Sequence, residues 1–303
     1  MPDEAASWQQ ILKETYELED AWRSEGSIAW YRGHADVTWK LKSTLHRHSE
    51  RMLKAIMPPP SADKWRKSLY EEYKTQYRRF RADAWPLLGL KELSDWGIVF
   101  AMQHYGQLTR LLDWTESFAC AVSFALFRSC AGCACCNDCD CCNPDKRTVA
   151  IWMLDPRELN RASKVDGLIG LDDRPTDPDV ETSVETWRWH PKYGIGEPPL
   201  SSIAVSPDFT NARMTAQRAA FTMSGDSFDS LDVEASSLVK DGRLRKFVLT
   251  PEVCTEAAHF LKRAGLNAYS FFPDLHGLAL RLKDETRERF TDIARWYPSN
   301  FKP

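Results

Sequence analysis

The sequence predicts an α+β fold with a mixed or antiparallel sheet flanked by helices. Helical patterns occupy most of the first half of the chain, whereas short apolar strand candidates gather in the second half. The segment Thr148–Leu154 (TVAIWML) is a continuous apolar run bounded by charged residues, which is typical of a buried strand. Strands and helices do not alternate regularly, so a parallel sheet built from strand–helix–strand units is not expected.

The N-terminal part predicts one helix followed by two short strands. Residues 3–24 carry apolar side chains close to a 3.6-residue period, and Gly26 follows the last turn, which indicates an amphipathic helix. The aromatic run at 28–31 predicts a strand, Gly33 is interpreted as a turn, and the alternation through 39–44 predicts a second strand.

Three further helices are predicted before the main group of strands. The clearest begins at Ser61, where large apolar side chains recur every three or four residues as far as Phe80. Two more are expected at 94–104 and 116–127, joined by the motif QHYGQLTRLLDWTE.

The second half is expected to supply most of the sheet. Residues 164–200 are rich in Asp, Pro and Gly without periodicity, which predicts a long surface excursion or lid. A helix at 251–264 ends at Gly265, and a final helix begins at Pro273. The predicted strands of this half lie at Ser202–Val205, Ala219–Met223, Lys246–Thr250 and 268–272.

Composition excludes several classes of protein. The chain has 303 residues, of which 43% are hydrophobic and 27% charged, so it is long enough to bury a large core and is not a disordered linker. A net charge of −3 provides no global basic field for nucleic acid or an anionic membrane. The first ten residues are acidic and polar, and no window approaches the roughly 18 apolar residues of a membrane span. A cytoplasmic location is expected.

Cysteine usage indicates local chemistry. Seven of the nine cysteines fall between 130 and 142, whereas Cys120 and Cys254 stand alone in apolar surroundings and are interpreted as core. Clustered thiolates bind soft metals, so zinc or an iron–sulfur cluster is one interpretation. A solvent-exposed insertion without a metal role and a redox sensor are the alternatives. The candidate ligands are Cys130, Cys133, Cys136 and Cys139.

Two stretches have a more distinctive sequence than a fold alone requires. They are WYRGH at 30–34 and QHYGQLTRLLDWTESFACAVSFAL at 103–126. They resemble the FRG domain family, and the similarity continues in order to about residue 285. The resemblance implies one FRG-like domain at 28–290 with a Cys-rich insertion at 128–147. Residues 1–27 would then form an N-terminal helical extension, and 291–303 a C-terminal tail.

The aromatic residue, Arg32 and Gly33 of the first motif also resemble the opening motif of ADP-ribosyltransferases. This second resemblance implies a split sheet and NAD as substrate, for ADP-ribosyl transfer or NAD cleavage, in a toxin or defence effector. Thr222 resembles the hydroxyl-bearing strand of one subgroup. No Glu stands on the strand predicted at 268–272, where that group carries its acid, so Asp274 or Glu116 is the candidate.

The chemistry of NAD cleavage defines the candidate site. The reaction passes through an oxocarbenium-like ribose, so it needs donors for the diphosphate and ribose, an aromatic wall for nicotinamide and a carboxylate. The catalytic candidates are Arg32, Glu116 and Asp274. The binding candidates are Tyr31, Arg32, Gly33, His104, Tyr105, Arg110, Asp113, Trp114, Gln217 and Thr222. A site requires these groups to gather at a concave pocket of roughly 300–1,000 Å³.

Structural roles remain open for the same residues. Arg32 pairing with Asp113 or Glu116, His104 as a buried core histidine, and Asp274 as the N-cap of the last helix are the alternatives. Gln217 either reads a ligand amide or bonds the backbone. The alternative function is a non-catalytic nucleotide- or peptide-binding module with a metal-sensing Cys-rich loop. No P-loop, GxGxxG, HExxH or GxSxG motif occurs.

Overall fold

The computed structural model of the chain describes residues 6–87, 94–126, 148–165, 201–207 and 212–296. The Cys-rich insertion at 128–147 and most of the expected excursion at 164–200 lie outside these residues. None of the described helices is both long and apolar enough to cross a membrane.

The described residues form an α+β fold around a six-stranded antiparallel sheet, which confirms the predicted fold class. The spatial order of the strands is β4-β5-β2-β1-β3-β6. In chain order the strands are β1 (Trp30–His34), β2 (Leu111–Thr115), β3 (Val149–Leu154), β4 (Ile203–Val205), β5 (Ala219–Met223) and β6 (Leu244–Leu249).

The junction between β1 and β2 divides this sheet into two halves. On one side β2 pairs with β5 along its whole length, and on the other β1 pairs with β3 from Trp30 to His34. Within the described residues, β1 and β2 themselves share one register pair, Tyr31 with Thr115. The two halves are therefore joined at one end of β1 and separate beyond Tyr31, which leaves an opening in the middle of the sheet.

Helices cover both faces of the sheet. Those of the first half are α1 (Trp8–Ser24), α2 (Thr44–Ala55), α3 (Ala62–Ala84), α4 (Asp95–His104) and α5 (Phe118–Leu126). Those of the second half are α6 (Pro156–Ala162), α7 (Ala212–Ala216), α8 (Leu231–Glu234), α9 (Ser236–Lys240), α10 (Pro251–Arg263), α11 (Ala268–Phe271) and α12 (Leu275–Trp296). A single 3₁₀ turn spans Trp85–Leu87.

Two predicted strands do not form. Residues 39–43 are irregular and α2 begins at Thr44, because the Ser43 hydroxyl accepts from the His46 N–H, 3.3 Å away, and caps that helix. The segment 268–272 is α11, where Asn267 and Ser270 form a capping box. Conversely, LLDWT was expected to be part of a linker and is strand β2.

Two glycines shape the surroundings of the opening. Gly33 lies within β1 and is not the predicted turn; a Cβ there would overlap the carbonyl oxygen of Ala121, so α5 lies directly on the strand. Gly106 follows α4 with φ of +79°, the left-handed conformation that reverses the chain towards β2. Together they bring α4, α5, β1 and β2 to one place.

Helix α1 is packed into the body of the fold. Its Trp8, Ile11 and Trp22 are buried in one cluster with apolar residues of β1, β3, α5 and α10. At the other end of the chain, α12 continues through residue 290 without interruption. The division into an extension, a domain and a tail at 27 and 290 stays a prediction.

Candidate functional site

A cavity of about 350 Å³ lies where β1 and β2 separate. We call it the opening cavity. Aromatic rings from several elements form much of its wall, and polar groups of β1, β2, α4 and the segment before β5 project into it. The aromatic wall comprises Trp39, Phe100, Trp114, Phe124 and Phe221, and the polar lining comprises Arg32, Gln103, His104, Asp113, Thr115, Arg213 and Gln217.

Arg32 bridges the opening in the sheet. Its Nη1 donates to the backbone carbonyl of Asp113 and lies 3.7 Å from the Asp113 carboxylate. Its Nε donates to Nε2 of His34 on the same strand, 3.0 Å away. The side chain thus supplies a hydrogen bond to a β2 carbonyl beyond the last paired residues of β1 and β2, where no backbone partner from the described residues of β1 is registered. It is 17% exposed, so the guanidinium is mostly desolvated yet reaches the cavity.

The buried His34 is neutral in this arrangement. Burial, assisted by the nearby cations Arg32 and Lys246, lowers the pKa of His34 to about 3. Burial also lowers the pKa of Arg32, to about 10, and the Asp113 carboxylate opposes that shift. Arg32 therefore carries the positive charge of this pair at neutral pH.

Asp113 connects Arg32 to helix α4. Nε2 of Gln103 donates to both carboxylate oxygens of Asp113, each 3.0 Å away. The Thr109 hydroxyl donates in turn to Oε1 of Gln103 and accepts from the Leu111 N–H at 3.1 Å. The Asp113 side chain is 59% exposed, so its carboxylate is held in place while remaining open to a ligand.

The opposite wall is fixed by bonds to backbone and hydroxyl groups. Nε2 of Gln217 donates to the Phe271 carbonyl at 3.0 Å, which ties the cavity to α11. The indole N–H of Trp114 donates to the buried Thr222 hydroxyl at 3.1 Å, which fixes the orientation of that ring. Arg213 lies over the Phe272 ring, 4.5 Å from its centroid.

A family model described as FRG domain matches residues 27–131. This region of the chain is similar to the FRG domain family. The matched span contains β1, α4 and β2, and with them the whole hydrogen-bonded series from Thr109 through Gln103 and Asp113 to Arg32. No curated protein and no solved structure matches the chain.

Seven predicted site residues line the opening cavity: Tyr31, Arg32, Gly33, His104, Asp113, Trp114 and Gln217. Two of them differ from expectation in detail. The Tyr31 ring lies edge-on to Phe118 at 5.5 Å and its hydroxyl donates to Glu19, so its buried side chain packs under α1 and α5. Gly33 is required by the close approach of α5.

His104 lies at the edge of this set. Burial, and then the nearby cation Arg213, lower the pKa of His104 below its ordinary value. Its ring lies edge-on to that of Tyr105, with 4.9 Å between centroids. Tyr105 itself was expected to wall the pocket, but it is largely exposed and does not line the cavity.

Two further predicted binding residues are buried elsewhere. Arg110 lies 3.5 Å from Asp226 and stacks over Tyr70, so it belongs to a buried ion pair behind α3 and not to a ligand site. Thr222 is buried and serves the cavity indirectly, by accepting from Trp114. Neither lines the cavity.

Neither predicted catalytic carboxylate lines the opening cavity, although Asp274 lies 4.0 Å from the lining residue Arg213. Asp274 accepts from the Gly277 N–H at 2.9 Å and caps α12, which is the structural alternative weighed for it, and this bond lowers the pKa of Asp274. Glu116 pairs with Arg218 at 3.2 Å. Among the described lining residues, the acidic group is Asp113.

Among the lining residues that sequence analysis missed are Gln103, Trp39 and Arg213. Gln103 is the first residue of the motif quoted at 103–126, and Arg213 lies in the stretch over which the similarity to the FRG family continues; these positions were the available signal. Trp39 was assigned to a strand that does not form, so nothing in its local pattern placed it beside Arg32.

The proposed metal ligands Cys130, Cys133, Cys136 and Cys139 lie outside the described residues. Within the described ranges, no group of three or more His, Cys, Asp or Glu side chains is arranged to hold a metal ion. Cys120 and Cys254, expected to be core, are free thiols and buried.

Proposed function

We propose that this FRG-domain protein binds NAD in the opening cavity and breaks the bond between nicotinamide and ribose, transferring ADP-ribose to an acceptor or to water. The observation that carries the proposal is one set of lining groups: a guanidinium, a carboxylate and two carboxamides around an aromatic-walled cavity of about 350 Å³. That volume is within the range of small-molecule sites.

The aromatic wall suits the nicotinamide ring. Phe100 and Phe221 stack with 5.2 Å between ring centroids, and Trp114 is held in one orientation by Thr222. A flat cationic ring is stabilised by aromatic faces. The amide nitrogen of Gln217 is engaged by Phe271, so its carbonyl oxygen is positioned to accept from the carboxamide of nicotinamide.

Asp113 is the carboxylate of the proposed reaction. When the glycosidic bond breaks, its electron pair leaves with nicotinamide and the ribose carbon becomes positively charged. A carboxylate fixed by Gln103 before the reaction stabilises that charge without reorganising. Asp113 thereby takes the role for which Asp274 and Glu116 were candidates, because neither of those side chains lines the cavity. Asp274 caps α12 and lies 4.0 Å from the lining residue Arg213, and Glu116 pairs with Arg218.

Arg32 is the anchoring residue of the proposal. Its Nε and Nη1 are engaged by His34 and Asp113, and within the described part of the chain Nη2 forms no hydrogen bond. A ribose or phosphate oxygen at Nη2 would complete the planar donor set of the guanidinium. Capture of the ribose cation by water or by an acceptor hydroxyl then releases one proton. Consumption of NAD in this way suits a toxin or defence effector.

A binding module without catalysis is the second candidate. Both oxygens of Asp113 are bonded by Gln103, and Arg32 lies beside them, so the carboxylate is already partly neutralised. Such a site would hold a nucleotide without stabilising a new positive charge.

Incubation of the purified protein with NAD separates the two candidates. Chromatography should show nicotinamide accumulating in proportion to protein concentration and time, and the Asp113→Asn variant should release it at least about a hundredfold more slowly. Glu256→Gln, a change of the same kind on the outer face of α10, should match the wild type. Saturable NAD binding without nicotinamide release would establish the binding module instead.

A further inference from the structure

A second cavity of about 400 Å³ adjoins the opening cavity. The two cavities share the side chains of Arg32 and Trp39 as a common wall. Beyond that wall the lining is supplied by the segment before α2 and by the first turns of α2. Since its lining is dominated by cations, we call it the basic cavity.

The basic cavity carries an excess of positive charge. Arg32, Lys40, Lys42 and Arg47 line it, and Glu50 is the acidic group among the described lining residues. Glu50 lies 3.0 Å from Nζ of Lys42, so this pair is neutralised internally. His34 adds no charge, because its pKa is well below neutrality. Arg32, Lys40 and Arg47 therefore face a space that holds too few carboxylates to balance them.

The arginines are ordered without being paired to a carboxylate inside the cavity. Nη1 of Arg47 donates to the Lys42 carbonyl at 2.6 Å, which orients the guanidinium by a neutral acceptor. Burial lowers the pKa of Arg32, and the nearby charge of Arg47 adds to that shift. Asp113 acts on both guanidinium groups from the opening cavity. Like charges held this close are relieved by a bound anion.

Trp39 separates the two cavities. Its ring is 47% exposed and lies edge-on to the buried His34 at 6.0 Å, so one side of the indole is fixed and the other is accessible. A ligand with a planar, weakly charged half and an anionic half would extend from one cavity to the other past this ring. A cavity of this volume admits the diphosphate group of a nucleotide and excludes a nucleic-acid duplex.

We propose that the basic cavity binds the diphosphate of a dinucleotide, with Arg32, Lys40 and Arg47 as its cationic partners and Trp39 as the divider between the two halves of the ligand. The proposal rests on the proposed function for the identity of the ligand in the opening cavity. It adds the orientation: nicotinamide riboside lies between β1 and β2, and the diphosphate lies towards α2.

Calorimetric titration with inorganic pyrophosphate, ADP-ribose and nicotinamide riboside tests this orientation at fixed salt. Wild-type protein should bind all three. Arg47→Gln and Lys40→Gln should each weaken pyrophosphate and ADP-ribose binding about tenfold or more, since a charge-assisted bond is lost. Both variants should bind nicotinamide riboside, which has no diphosphate, with unchanged affinity. Lys40 is exposed, so its variant keeps the test valid if Arg47→Gln lowers stability.

Arg51→Gln is the matched control, because it removes the same charge one turn further along α2 outside both cavities. Equal loss of pyrophosphate binding in Arg51→Gln and Arg47→Gln would overturn the proposal, as would absence of pyrophosphate binding in the wild type. If the pyrophosphate pattern is as expected but nicotinamide is never released, the diphosphate site stands and the proposed reaction fails. If nicotinamide is released and Arg47→Gln binds ADP-ribose normally, the reaction stands and this proposal fails.

Discussion

At the scale of single residues, Arg32 has both a structural and a proposed binding role. It closes the gap between β1 and β2 through the Asp113 carbonyl and reaches the cavity with its remaining nitrogen. This dual position explains why the sequence favoured two interpretations of Arg32, as an anchor for a ligand and as an ion-pair partner of Asp113. Both interpretations describe the same side chain.

Replacement of Arg32 by Lys separates the two roles. An ammonium group cannot bond Asp113 and His34 while presenting a further planar donor, so we expect NAD affinity to fall by about tenfold or more. The unfolding free energy should fall by only about 1.5–3 kcal/mol, the contribution of a hydrogen bond involving a charged group. Titration calorimetry and urea denaturation measure the two effects. A large loss of stability with retained affinity would assign Arg32 to architecture alone.

His34 predicts a pH dependence of stability. Its folded-state pKa of about 3 lies below the ordinary value of 6.5, so between those values the unfolded chain binds more protons than the folded one. The free energy of unfolding should therefore fall as pH is lowered from 6.5 towards 3, by at most about 1.4 kcal/mol per pH unit for this group. Denaturant titrations at pH 7 and pH 5 measure this difference.

The His34→Gln variant should show a smaller loss of stability between pH 7 and pH 5 than the wild type. Burial also lowers the pKa of His46 to about 3, and this buried histidine contributes in the same direction, so the dependence should shrink without vanishing. His259→Gln, at an exposed position on α10, is the control. An unchanged pH dependence in His34→Gln would show that His34 is not held neutral.

Among the elements, the contact between β1 and α5 sets the geometry of the site. Gly33→Ala should destabilise the fold by roughly 3 kcal/mol or more, since a methyl group there overlaps backbone atoms of α5 that cannot move independently. Gly242→Ala is the control: it meets open space and loses about 1 kcal/mol from its left-handed backbone. Equal effects of the two changes in thermal denaturation would contradict the close packing of α5 on β1.

Local pattern predicted the long elements and the short strands β4, β5 and β6, and it failed for β2 and for segment 268–272. Helices α3 and α10 were found because their apolar spacing persists over several turns, and β3 because six consecutive buried residues leave few alternatives. Strand β2 was missed because it has five residues with Asp113 at its centre, and that carboxylate is satisfied by Gln103, ten residues away. Segment 268–272 has the pattern of a strand, but the Asn267 cap makes it a helix.

At the scale of the whole molecule, the candidate site depends on how the sheet is joined. The motifs at 30–34 and 103–126 predicted that Arg32 and Asp113 would meet, and they do so across the opening between the sheet halves. The participation of Trp39 and the exclusion of Asp274 depended on where loops and helix caps fall, which residue types do not encode. The FRG domain match covers β1 and β2 but not α7 or β5, which complete the cavity.

The seven clustered cysteines predict a property of the intact chain that is independent of the cavity. If Cys130, Cys133, Cys136 and Cys139 hold a metal, anaerobically purified protein should contain near-stoichiometric zinc or show the absorbance of an iron–sulfur cluster. Elemental analysis and visible absorbance measure this directly. Replacing these four cysteines with Ser should abolish the metal content, whereas replacing the buried Cys254 with Ala should not. Trace metal in the wild type would refute the metal site.

The central claim is that NAD binds at the opening between the two halves of the sheet. Hydrogen–deuterium exchange with and without saturating NAD tests it most directly, because it reports the bound region on the intact protein. We predict slower exchange in peptides covering 35–43 and 103–110, which border the opening, and unchanged exchange in 256–264 on the outer face of α10. Protection of 256–264 instead, or no protection by NAD anywhere, would contradict the account.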